Sequence, residues 1–157
     1  MNSNQILTME TCDPALPEAL VLLDELSDSL AAITGDSGRA SFDANDVRGP
    51  ASLFVIARNA AGLAVACGAF RPMEAGIAEV KRMYARPQTK GAGLAVLRHL
   101  ETAAADLGYQ KLRLETRLVN QRAVAFYEKH GYRRIDNFGK YVGNAAAVCF
   151  EKSLPAR

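Results

Sequence analysis

Residues 78–95, AEVKRMYARPQTKGAGLA, run from an alternating strand-like stretch through a glycine-bearing turn into a helix, an order that calls for an α/β fold and builds an anion site. The first half, residues 79–84, alternates and is bounded by Arg86-Pro87, whose proline cannot continue a central strand. The second half, residues 94–108, carries Leu94, Leu97, Leu100, Ala104 and Leu107 at helical spacing, with Arg98, Thr102 and Asp106 opposite. Between them, Lys90-Gly91-Ala92-Gly93 lets the backbone approach a ligand closely, and the first free N–H groups of the helix can point at phosphate oxygens. Taken alone, the stretch reads equally well as an ordinary tight strand-to-helix turn.

The rest of the chain alternates elements of the same kinds. Residues 5–10 form a short first strand, and Pro17-Glu18 opens a helix whose Leu20, Leu23, Leu26, Leu30 and Ile33 keep helical spacing until Gly35 stops it. Residues 35–50 are polar and glycine-bearing, with only Phe42 and Val47 bulky and apolar, so they form a loop holding a short helical turn. Residues 52–58 and 63–70 are apolar runs separated by Asn59-Ala60-Ala61-Gly62, a hairpin signal. Residues 111–117 alternate Leu112, Leu114 and Thr116 with Arg113 and Glu115; residues 121–130 are a helix closed by Gly131; residues 132–135 and 146–152 complete the sheet. Strands joined only in places by helices predict a mixed α/β sheet, not an all-parallel one. There is no internal repeat.

Bulk properties exclude several classes. A chain of 157 residues fits one domain. Nineteen basic against seventeen acidic residues give a formal charge of +2, and the basic ones are scattered apart from Lys81-Arg82 and Arg133-Arg134, so no nucleic-acid surface is indicated. Cys12, Cys67 and Cys149 make no paired framework and read as reduced core residues of a cytosolic protein. The first residues lack a basic segment followed by an apolar run, and no stretch reaches the roughly 18 apolar residues of a membrane span. A soluble, cytoplasmic protein without a membrane partner is expected. No spacing of His, Cys and carboxylate suggests a metal site, and His99 and His130 read as surface residues. A nucleotide phosphate loop fails on the text, since no G-x-x-x-x-G-K-[ST] occurs.

The turn resembles the acyl-CoA-binding motif of the GNAT family of N-acetyltransferases, Q/R-x-x-G-x-G/A, with Lys90, Gly93 and Ala95 in its three defined places. Residues 120–132, NQRAVAFYEKHGY, are similar to the family's second signature, an asparagine before a helix carrying A-x-x-F-Y-E-K-x-G-F/Y, and GAFRP followed by AEVKRMY resembles its two central strands. The likeness spans about residues 5–154. One departure is Lys90, which offers a point charge where glutamine or arginine is usual. The resemblance implies a single N-acetyltransferase domain over residues 1–157, with a splayed central sheet of about six to seven strands and flanking helices. It also implies acetyl-CoA as co-substrate with no metal, an amine acceptor belonging to a small molecule or a protein, and a homodimer as one assembly. A non-catalytic acyl-CoA-binding or sensing domain is the alternative.

Residue by residue, the resemblance implies that Met83, Tyr84 and Ala85 pair with the pantetheine arm, while Lys90, Gly91, Ala92, Gly93, Leu94 and Ala95 hold the pyrophosphate. Asn120 contacts the cofactor, although capping the helix at Gln121 would by itself explain an asparagine there. Tyr127 takes the place of the proton donor to the CoA thiolate, or else is an amphipathic aromatic on a helix face. Glu79 sits where some relatives carry a general base, or is a salt-bridge partner of Lys81; Glu115 is a second candidate whose face of the strand is open. The acceptor pocket would be lined by the first helix, by the loop bearing Asp36, Asp43 and Asp46, and by residues 137–144 with Phe138 and Tyr141.

Overall fold

A computed structural model describes residues 6–156. Residue 5 of the expected first strand lies outside them, and the strand itself, β1, is Thr8–Thr11. Helix α1, Pro17–Thr34, begins on proline, whose missing N–H costs nothing at a helix start, and ends at Gly35, whose φ of 82° lets its N–H return to the Ala31 carbonyl. Its packed face is Ala19, Leu22, Leu23, Leu26 and Ser27, whereas Leu20 and Ile33 of the expected stripe are 48% and 44% exposed. The helix crosses the sheet only with its first turns, which decides the packed face. Its last turns overhang an opening.

β2 (Leu53–Arg58) and β3 (Ala64–Glu74) form the expected hairpin, closed by Gly62 at φ 84° and by the Asn59 side chain, which accepts from the N–H groups of Ala61 and Leu63. Residues 35–50 hold two short 3-10 turns, at Arg39–Ser41 and Ala44–Val47. There follow β4 (Ile77–Ala85), α2 (Ala92–Asp106), β5 (Lys111–Arg117), α3 (Gln121–Lys129), β6 (Arg133–Ile135) and β7 (Ala147–Ser153). They make one seven-stranded mixed sheet, β1-β2-β3-β4-β5-β7-β6. Its pairs are antiparallel except β4 with β5, which the α2 crossover makes parallel.

The sheet separates two apolar layers. On one face Val55, Val65, Phe70, Val80, Leu112, Leu114 and Phe150 pack with Val96, Leu97 and Leu100 of α2 and Val124 and Tyr127 of α3. On the other, Phe54, Ile56, Cys67 and Ala69 pack with Ala19, Leu22 and Leu23 of α1. β2 and β3 are thus covered on both faces, which is why their sequences are continuous apolar runs and not alternations. Of the three cysteines expected in the core, Cys67 and Cys149 are buried free thiols, whereas Cys12 is only partly buried.

Two local features set how β3, β4, β5 and α2 meet. An added Cβ on Gly68 would stand 2.6 Å from Met83 Sδ and 2.7 Å from Val96 Cγ1, so the glycine lets α2 lie directly on β3. And β4 pairs with β5 only through residues 77–79, after which the two strands part.

Candidate functional site

Where β4 and β5 diverge, the sheet opens into a cleft of about 1070 Å³ walled by both strands, the turn before α2, α3 and the overhanging end of α1. The β4 wall carries a bulge: Cys67 opposes Tyr84 and Ala69 opposes Lys81, so β4 holds an extra residue, and Arg82 takes φ 56° to accommodate it. A non-glycine residue there costs about 1–2 kcal/mol. The bulge shifts the alternation by one, so that Met83 and Ala85 join Ala78 and Val80 on the α2 side while Tyr84 packs toward α1. Beyond it, the Arg86 N–H donates to the Val65 carbonyl at 2.8 Å. By alternation the main-chain groups of Met83 and Ala85 then face the open side.

In the turn, the N–H groups of Thr89, Ala92 and Ala95 donate to the carbonyls of Arg86, Thr89 and Gly91. The amides of Gln88, Lys90, Gly91, Gly93 and Leu94 have no acceptor among the described residues. Gln88 at φ 69° and Gly91 at φ 80° bend this run so that successive amides gather, the arrangement that binds anions. Of the residues expected to hold a cofactor, Met83, Tyr84, Ala85, Lys90, Gly91, Gly93, Leu94, Asn120 and Tyr127 line the cleft together. Ala92 and Ala95 do not: Ala92 is wholly buried, and both amides are already engaged inside the turn.

Asn120 caps α3, its side-chain oxygen accepting the Ala123 N–H at 3.3 Å, and still faces the cleft. Tyr127 buries its ring against Phe126, Tyr132 and Phe150, and its hydroxyl has no partner among the described residues. Burial pushes the phenol well above its ordinary range. His130, read from the sequence as a surface residue, lines the cleft edge-on to Phe126.

At the other end of the cleft lies a charged group that the sequence showed only in part. Glu79 is 3% exposed; its Oε1 accepts from Nε and Nη2 of Arg71 at 3.1 and 2.9 Å, and its Oε2 stands 3.6 Å from Lys81 Nζ. Glu115, whose face was open, points to the same side. Its Oε2 accepts from Arg117 at 2.8 Å, and burial raises its carboxyl above the usual range against the pull of Arg117 and Lys81. Burial lowers the Lys81 ammonium, which Glu79 opposes. Tyr141, 3.5 Å from Lys81 Nζ, completes the group, and its phenol is pushed up to about 12 by burial. Phe138 packs edge-on against Tyr141 instead of lining the cleft.

Of the loop acids, Asp36 lines the cleft but accepts the Gly38 N–H, Asp43 caps a 3-10 turn, and Asp46 pairs with Arg71. Sequence reading missed a clasp from α1, in which Glu25 accepts from Arg86 Nε and Nη2 at 3.0 and 2.9 Å and from the Tyr84 hydroxyl at 3.1 Å. A lone acid on a helix face gave no signal for it. No group of three or more His, Cys, Asp or Glu that could hold a metal occurs among the described residues. Nor is any described helix long and apolar enough to cross a membrane.

Comparison with known proteins agrees with this geometry. The model of the acetyltransferase (GNAT) family matches residues 20–132. A protein of Azospirillum brasilense described as an IAA acetyltransferase is 32% identical over 143 residues, covering 88% of this chain and 93% of its own. Among solved structures, an acyl-CoA N-acyltransferase of Klebsiella pneumoniae superposes with a TM-score of 0.80 at 26% identity, over 96% of this chain and 99% of that one. A GNAT acetyltransferase of Staphylococcus aureus gives 0.75 at 14% identity, over 96% and 100%, and speaks for the fold alone.

Proposed function

Since the chain belongs to the acetyltransferase (GNAT) family, we propose that it moves an acetyl group directly from acetyl-CoA to a primary amine of a small molecule or protein. The observation that carries this reading is the pairing of an unpaired β4 edge with five unengaged amides at the start of α2, opposite ends of one extended ligand. Met83 and Ala85 offer main-chain donors and acceptors to an amide-bearing arm, as a sheet edge does to a strand. Gln88, Lys90, Gly91, Gly93 and Leu94 offer amides to a pyrophosphate, and Lys90 adds positive charge. Gly93 leaves room there: an added Cβ would make only ordinary contacts, 3.7 Å from Ala85 Cβ and 3.9 Å from Phe126 Cζ.

Transfer needs a proton taken from the attacking ammonium and one supplied to the leaving sulfur. We assign the first task to Glu115. Arg71 and Lys81 occupy both oxygens of Glu79, leaving neither free to meet an amine, whereas Glu115 keeps one oxygen free and its carboxyl is raised by burial. Glu79 then serves to place Lys81. The neutral amine nitrogen attacks the thioester carbon, the carbon–sulfur bond breaks, the nitrogen gives up its second proton to the departing sulfur directly or through solvent, and the Tyr127 hydroxyl hydrogen-bonds that sulfur. A thiol titrates near 8.5, so a phenol raised by burial gives up its proton only uphill; its main contribution is a hydrogen bond to the developing thiolate.

The test is thiol release from acetyl-CoA over a panel of primary amines. Turnover is expected, with Tyr127→Phe lowering kcat about 10²-fold while CoA affinity holds. CoA binding with no turnover on any amine would instead favour the sensing domain.

A further inference from the structure

The described lysines and arginines divide sharply. All of them carry a carboxylate at ion-pair distance except Arg82, Lys90, Arg122, Lys129 and Lys140. None of these exceptions is scattered over the surface. Lys90, Arg122 and Lys129 line the cleft where the glycine turn meets α3, the end that would hold phosphates. Arg82 stands at the opposite end beside Phe42, and Lys140 lines an adjoining hollow that shares Ser41 and Phe42 with the cleft.

Arg82 is the harder of the two to explain without a ligand. Its guanidinium is half-buried and reaches only neutral oxygens: Ser27 Oγ at 2.5 Å and the carbonyls of Leu23 and Ser37 at 3.4 and 3.5 Å. It lies 5.7 Å from the centre of the Phe42 ring. Its Nε is the one buried side-chain nitrogen or oxygen without a hydrogen-bond partner among the described residues. A half-buried cation with no carboxylate at contact distance is costly, and this chain otherwise avoids it, giving acids to Arg58, Arg71, Arg86, Arg113 and Arg117. Arg82 also occupies the strained position of the β4 bulge, and such strain concentrates at ligand sites. If anchoring α1 were the whole role, a neutral donor would do it at less cost. Lys140 reaches from the 137–144 loop to Ser41 Oγ at 2.7 Å, in a hollow that adjoins the cleft at Ser41-Phe42, and is likewise without an acid.

We propose that the amine acceptor carries a carboxylate, and that Arg82 and Lys140 receive it at Ser41-Phe42 while the amine end lies toward Glu115. The inference rests on the acetyltransfer reading and narrows its acceptor to amino acids in the broad sense. A planar guanidinium fork suits a carboxylate, and the ammonium of Lys140 adds charge from the opposite loop. The acids deeper in the cleft suit the cationic amine at the other end of the same molecule.

The experiment compares acceptors that differ only in that group: L-phenylalanine against its amide and phenethylamine, and 4-aminobutyrate against butylamine. Wild-type kcat/KM is expected to be at least tenfold higher for one or both carboxylate-bearing members. In Arg82→Gln, the KM of the preferred acceptor rises roughly ten- to a hundredfold, with kcat moving less, and Arg82→Lys recovers part of the loss. Calorimetric CoA affinity reports whether the variant keeps its fold. Should Arg82→Gln not fold, Lys140→Ala, an exposed change, is expected to raise the same KM several-fold. Equal or better use of the carboxylate-free amines would overturn this inference alone. An unchanged KM in folded Arg82→Gln would do so too, and no turnover of any amine would overturn it together with the acetyltransfer reading.

Discussion

Glu79 and Glu115 are carboxylates on neighbouring strands, facing one cleft under opposite constraints. Arg71 and Lys81 hold both oxygens of Glu79, while Glu115 has a single cation at contact distance and a carboxyl raised by desolvation. A raised carboxyl is protonated, and idle as a base, until the pH exceeds its elevated value. The acid limb of kcat/KM is therefore expected above the ordinary carboxylate value of about 4.3. Glu115→Gln should remove that limb and lower kcat/KM at neutral pH by about 10²-fold, whereas Glu79→Gln should leave the limb in place. A limb that survives in Glu115→Gln would reassign the base. The sequence showed both glutamates but could not rank them. Rank depends on Arg71, eight positions away along the chain and directly across from Glu79 in the β3–β4 ladder. Arg82, by contrast, was legible in principle: two consecutive charges in an alternating strand break its parity, and one inserted residue restores it.

Among the elements, α2 was the best read and also shows why reading stops short. Its central stripe, Leu97, Leu100 and Ala104, is core, but the expected ends are not: Leu94 lines the cleft and Leu107, just past the helix, is 53% exposed. Periodicity fixes a face, whereas neighbours decide how far along the helix that face is covered. α1 shows the same effect, with Leu30 and Ile33 released to the cleft once the helix passes the sheet. The depth at which α2 sits depends on Gly68. Gly68→Ala should overpack Met83 and the stiff Val96, costing about 1–3 kcal/mol and lowering Tm by several degrees. Because Met83 also lines the cleft proposed to hold acetyl-CoA, the KM for acetyl-CoA should rise in the same variant. A melting temperature equal to wild type would show that α2 shifts freely on the sheet.

For the whole molecule, we propose that residues 1–157 form a single cooperative unit, since one apolar layer draws on β2 through β5, α2, α3 and β7. Differential scanning calorimetry should give one transition. Added CoA at about a hundred times its dissociation constant should stabilise the protein by about 2.7 kcal/mol and raise Tm by roughly 5–10 °C. Two separable transitions, or a Tm indifferent to CoA, would contradict this. The mixed sheet was legible because some strand patterns follow one another through a hairpin signal and others are separated by a helix, as β4 and β5 are by α2. The splay was expected from the family resemblance alone, and its position after three residue pairs was not legible, because a splay leaves no mark on either strand's own alternation.

The short parallel seam has a further consequence. An unpaired strand edge ordinarily invites another chain to add itself and begin an aggregate. In this molecule the edge left free by the splay is turned inward, behind α3, the glycine turn and the overhanging end of α1. The fold thereby keeps an adhesive backbone edge while screening it with its own helices, which suits the slender, amide-rich guest proposed for the cleft better than a foreign strand.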